Sequence, residues 1–131
     1  MDEQSVVAPV QIPDRAYVAG PGWQELLVRL HQELYTLAPA YALSGLKEKL
    51  GGLRVQVEAE GADHSALRAV VTAAEAEAMG TCEFCGAPGS VRTRSNDEPG
   101  GWRKTVCATC HRRWSAHRLM IVHGVVRERQ R

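Results

Sequence analysis

Cys82-Glu83-Phe84-Cys85-Gly86 and Cys107-Ala108-Thr109-Cys110-His111 decide how this chain is read. They are two Cys-x-x-Cys pairs with 21 residues between the inner cysteines, and together they hold all four cysteines of the 131-residue sequence. A two-residue gap lets both sulfurs of a turn point at one centre about 2.3 Å away, and two such turns complete a tetrahedron around Zn²⁺. The spacing is a near variant of the patterns that read as zinc sites. Two disulfides would need an oxidising compartment, and the acidic start Met1-Asp2-Glu3-Gln4 lacks the basic and apolar regions of an export signal. A thioredoxin-like redox pair would need a βαβ unit that the surrounding sequence does not supply. The expectation is therefore one structural Zn²⁺ on Cys82, Cys85, Cys107 and Cys110; His111 could replace Cys110, but four thiolates already fill the coordination sphere. A closed set of four thiolates leaves no position for water, so such a metal is a scaffold and not a catalyst.

The residues around the cysteines give this module its expected shape. Val91-Arg92-Thr93-Arg94 and Trp102-Arg103-Lys104-Thr105-Val106 read as two short strands, joined by a loop over Ser95 to Gly101 rich in Gly, Pro, Asn and Asp. From His111 to Val122, Trp114, Arg118, Ile121 and Val122 fall at helical spacing. A cysteine turn, a hairpin and a second cysteine pair opening a helix describe a treble clef, with a zinc ribbon as the near alternative. The module is expected over residues 81–124, followed by a frayed basic tail at 125–131.

Upstream, residues 1–20 carry Pro9, Pro13 and Gly20 without a sustained period and read as a flexible arm, though Val6, Val7, Val10 and Ile12 could dock on a core. Pro21-Gly22 opens a helix with Trp23, Leu26, Leu27, Leu30, Leu34 and Leu37 in one apolar stripe, and Pro39 ends it. His31 lies among polar neighbours on that helix and reads as an exposed surface residue. Leu53, Val55 and Val57 alternate with Arg54, Gln56 and Glu58 after Gly51-Gly52, which makes a strand with one wet face and Ala42–Leu50 as its antiparallel partner. Asp63 or Ser65 caps a second helix running to about Met79, with Leu67, Val70, Val71 and Ala74 inward. The fold class expected is α+β: a helix–hairpin–helix domain over residues 21–80, then the small zinc module.

The block Lys47-Glu48-Lys49-Leu50-Gly51-Gly52-Leu53-Arg54, followed by Cys-x-x-Cys-Gly and Gly-Trp-x-Lys-Thr-x-Cys, resembles a family of small uncharacterised bacterial and phage-borne proteins. Leu50 stands where that family commonly has Phe. The resemblance implies the order of hairpin and cysteine module, and no activity. The closing Cys-x-x-Cys-His also resembles HNH nucleases, but such a site needs a histidine base on the hairpin, and no histidine lies between Ser65 and Cys110. No serine–histidine–acid set, phosphate loop or paired carboxylate stands out either. Lys47, Glu48 and Arg54 read as a solvated hairpin face. The chain reads as a non-enzyme.

Charge separates the halves. Residues 1–80 hold 6 Lys/Arg against 11 Asp/Glu, and residues 81–131 hold 10 against 4. A basic half of this kind suits a polyanionic partner, or attraction to the acidic half. Arg92, Arg94, Arg103, Lys104, Arg112, Arg113 and Arg118, interleaved with Trp102 and Trp114, supply the residue types that contact phosphates and stack on bases. The same arginines could serve only solubility, and the tryptophans could cover the zinc site. The leading expectation is DNA or RNA binding through the basic half. The alternative is a protein-interaction adaptor or inhibitor, a phage or bacterial regulator docking on a host protein. No membrane span, no small-molecule substrate and a cytoplasmic location complete the reading.

Overall fold

The computed structural model describes residues 8–94 and 102–129. The chain is α+β. Its first half is helix, hairpin, helix, in the expected order: α2 Gln24–Leu37, β1 Ala42–Lys49, β2 Gly52–Glu58 and α3 His64–Ala78, preceded by a short α1 at Ile12–Arg15. The expected loop at Ser95–Gly101 and the apolar pair Val6 and Val7 lie outside the described residues.

Proline and apolar spacing explain α2. A 3-10 turn at Pro21–Trp23 leads into the helix, and Trp23, Leu26, Leu27, Leu30 and Leu34 are buried. Leu37, assigned to the same stripe by spacing, is exposed, because the helix ends there. On α3 the Asp63 side chain accepts a hydrogen bond from the Ala66 N–H at 3.1 Å, and Leu67, Val71, Ala74 and Ala78 face inward. β1 and β2 pair antiparallel with Lys49 opposite Gly52, so the loop between them is Leu50-Gly51. Both loop residues have positive φ, 54° and 86°, the signature of the tight hairpin turn whose twist matches the strands. Leu53 and Val55 on β2, the two helices and Tyr41 close one core.

The first correction concerns the arm. Residues 11–20 are docked on this core. Ile12 is buried, and its N–H donates to the Tyr41 hydroxyl at 3.0 Å. Gln11 Nε2 donates to the carbonyls of Pro39 and Tyr41, both at 2.9 Å. His31 changes with it: the ring is half-buried, with Nδ1 2.6 Å from the Tyr41 hydroxyl. That hydroxyl accepts from Ile12 and also hydrogen-bonds the imidazole, so it links the arm to α2. The polar sequence neighbours of His31 gave no hint of this tertiary partner.

The second correction concerns the C-terminus. β3 Ser90–Thr93 and β4 Arg103–Val106 form the expected hairpin, but the following helix α4 runs only over Ala108–Ser115. His117 takes a φ of 60°, which breaks the helix, and Leu119–Val122 and Val125–Glu128 form a third hairpin, β5 and β6, across His123-Gly124. Within the supposed tail, Val125–Glu128 is a strand. Its tip returns to the N-terminal segment, with the His123 ring 6.4 Å from that of Tyr17. A second core of Cys82, Phe84, Val106, Cys110, Trp114 and Leu119 lies beneath these elements.

Candidate metal centre

The four cysteines meet. Their sulfurs all lie within 4.8 Å of one another, a group that could hold a metal ion. Cys85 Sγ and Cys107 Sγ are 3.7 Å apart. A regular tetrahedron with metal–sulfur bonds of about 2.3 Å has edges of about 3.8 Å, so this pair stands at the ligand spacing. It is far longer than a disulfide bond of about 2.05 Å. All four side chains are thiols.

Local structure explains why the sulfurs converge. Cys82 and Cys85 sit on a tight turn in which the Gly86 N–H donates to the Cys82 carbonyl at 2.8 Å. The amide of Ala87 turns back to hydrogen-bond the Cys85 sulfur. Cys107 is the N-cap of α4, its sulfur accepting from the Cys110 N–H at 3.4 Å. A sulfur in that place is aimed by the helix start and shares in its partial positive charge. Burial works to raise the Cys107 thiol, but hydrogen bonds from the Cys110 amide and the neighbouring thiols outweigh it and bring it down to about 7. Burial, then the crowding of the other sulfurs, pushes Cys85 and Cys110 up. A donor set with one thiol ready to ionise and others needing a cation's field to lose their protons is suited to a thiolate-binding metal.

His111 is not among the converging groups. Its Nε2 lies 2.9 Å from the Thr93 carbonyl on β3, which ties α4 to the hairpin.

The centre is anchored to the first half through a residue that motif reading passed over. Glu83, between the first two cysteines, is only 1% exposed. Its Oε2 accepts from the Gly20 N–H at 3.0 Å, and its Oε1 pairs with Lys104 Nζ at 2.9 Å. Its backbone carbonyl accepts from the Gly22 N–H at 2.8 Å, and its N–H donates to the Thr105 carbonyl at 2.9 Å. Nearby, Thr105 Oγ1 donates to the Gly51 carbonyl at 2.7 Å, and Trp23 Nε1 donates to the Thr81 carbonyl at 2.8 Å. The start of α2 is thus fastened to the cysteine turn, and the tip of the first hairpin to β4 beside it. Glu48 belongs to this joint as well, accepting from the Gly51 N–H at 2.7 Å and standing 3.8 Å from Lys104. It is not simply part of a solvated face.

Compared with models of known protein families, with curated proteins and with solved structures, the chain matches none.

The basic residues divide. Lys104 is taken up by Glu83, and Arg113 by Glu128 at 2.7 Å. Arg94 lays its guanidinium 5.6 Å from the centre of the Trp114 ring. Arg92 Nε reaches Ser90 Oγ at 3.3 Å. Arg103, Arg112 and Arg118 are exposed. Trp114 is buried in the second core, 6.4 Å from Phe84, whereas Trp102 is 67% exposed. The third hairpin adds Arg127 and Arg129, which reading the tail as frayed had left out. The signal was present in the alternation Val-Val-Arg-x-Arg after Gly124. Among the described residues no helix is long and apolar enough to cross a membrane.

Proposed function

We propose that this chain is a non-enzymatic binding protein whose C-terminal half is a treble clef built on one structural Zn²⁺, held by Cys82, Cys85, Cys107 and Cys110, and that this half binds nucleic acid. The observation that carries the proposal is the convergence of four thiols in one turn–hairpin–helix unit. Four thiolates favour zinc among the common divalent ions, and a filled shell leaves no coordination site for substrate. The metal supplies rigidity: a module with so small a core gains on the order of 10 kcal/mol of apparent folding energy from it. Arg103, Arg112, Arg118, Arg127 and Arg129 then stand on the surface of a fixed body, and arginines so placed neutralise phosphates with release of counterions.

The test is binding of the zinc-loaded chain to mixed-sequence DNA and RNA across a salt series. Affinity is expected to fall steeply with salt, and Arg112→Glu with Arg118→Glu to abolish it. No binding at low salt would remove the nucleic-acid reading. In that case a protein-interaction adaptor takes its place, favoured by an open groove of about 710 Å³ between β2 and α3, floored by Val55, Val57, Leu67 and Val71.

A further inference from the structure

Besides the four sulfurs the structure offers the groove along β2, an open groove beside α2, the joint at Glu83, and a smaller cleft of about 280 Å³ that Arg94, Trp102, Trp114, His117, Met120 and Arg129 help to line. The cleft has the most specific chemistry. We infer that it seats an unpaired base of a single-stranded nucleic acid against Trp102, with Arg94 and Arg129 beside the strand's phosphates. The inference rests on the nucleic-acid reading above and names the form of the ligand.

Three observations carry it. The indole of Trp102 is 67% exposed, whereas Trp23 and Trp114 are 0% and 4% exposed, so of the three it alone offers its ring to solvent. A large aromatic surface left in water beside cations is the arrangement on which bases stack, and stacking tolerates any base because each has a π-face. Second, the cationic wall is built by tertiary structure. The Arg129 N–H donates to the Arg118 carbonyl at 2.8 Å, which extends the third hairpin and brings Arg129 to the cleft that Arg94 and Trp102 border. Third, the alternative of duplex reading finds little support. A duplex is read by a helix or ribbon lying in the major groove with several side chains on base edges. Here α4 has only 8 residues, its first turn is committed to the cysteines, and Arg113 is held by Glu128. With its first turn taken up by the cysteines and Arg113 by Glu128, this helix offers few side chains to base edges, whereas a small cleft with one stacking wall fits a single splayed base.

Tryptophan emission gives a direct readout, because a base at Trp102 quenches the only exposed indole. Affinities of the full zinc-loaded chain would be measured for oligo(dT), oligo(U) and a mixed duplex of about 12 nucleotides or base pairs. Quenching by one or both single strands is expected, with binding about 10-fold or more tighter than to the duplex. The two homopolymers separate DNA from RNA. Trp102→Ala should weaken single-strand binding roughly 5- to 100-fold, while Trp102→Tyr, which keeps a stacking face, should retain most of it. Binding that favours the duplex, or that is indifferent to Trp102→Ala, overturns the inference and leaves the nucleic-acid reading standing. Failure of all three ligands to bind at low salt overturns both.

Discussion

Glu83 concentrates the physics of the molecule in one side chain. Its carboxylate is shut away from water and satisfied by a backbone amide and a lysine. Removing one partner of such a pair leaves a charge without compensation, at a cost of about 3–5 kcal/mol. Glu83→Ala should therefore cost about 3 kcal/mol in urea unfolding of the metal-loaded chain; a loss below about 1 kcal/mol would mean that Lys104 simply turns to solvent. Gly22 is equally constrained. A Cβ there would stand 2.0 Å from the Cys82 carbonyl oxygen, so the start of α2 rests directly on the cysteine turn and has room only for glycine. None of this was legible from the motif. Cys-x-x-Cys announces its sulfurs, but the partners of an intervening Glu come from distant segments, Lys104 on the next hairpin and Gly20 more than sixty residues upstream.

At the scale of elements, legibility followed local signals. Apolar spacing between a proline start and a proline stop gave α2, and the Asp63 cap with its alanines gave α3, because those signals act within a few residues. The third hairpin was missed for a physical reason. Trp114, Arg118, Ile121 and Val122 can be spaced as a helix or read as helix end plus strand, and the deciding fact is the left-handed turn at His117. The first hairpin turn carries its own test. Leu50 is 60% exposed and sits at a φ of 54°, a conformation that costs a leucine about 1 kcal/mol and suits asparagine. Leu50→Asn should raise stability by about 0.5–1 kcal/mol in thermal unfolding, and a decrease would show that the side chain packs. Between α2 and α3, the ion pair of Arg29 with Glu77 at 2.6 Å lowers the Glu77 carboxyl through its hydrogen bond and charge. A lowered folded pKa means stability present above the ordinary carboxylate range and lost as pH falls through the lowered value. Both side chains are exposed, so Glu77→Gln should cost only about 0.2–1 kcal/mol at neutral pH and nothing at pH 2.

At the scale of the whole molecule, the two cores share a joint. Hydrogen bonds from Gly20, Gly22 and Trp23 reach the cysteine turn, and Thr105 reaches the first hairpin tip. Loss of metal should accordingly weaken the whole chain as one cooperative unit. A chelator is expected to shift a single thermal transition, and two separate transitions would show that the halves fold independently. Metal entry must also expel protons. Cys85 and Cys110 are held up by burial, while hydrogen bonds from the Cys110 amide and the neighbouring thiols bring Cys107 down to about 7. Binding at pH 8 should release on the order of two or more protons, so affinity should already fall as pH is lowered from 8, and more steeply below about 7 where Cys107 also takes up its proton. Calorimetry in buffers of different ionisation enthalpy counts them.

The most direct measurement is native mass spectrometry with elemental analysis on the chain purified under reducing conditions. One zinc per folded chain is expected, lost when Cys82 and Cys85 are replaced by serine. A folded chain that carries no metal, or that carries its four sulfurs as two disulfides, would contradict the metal-built architecture.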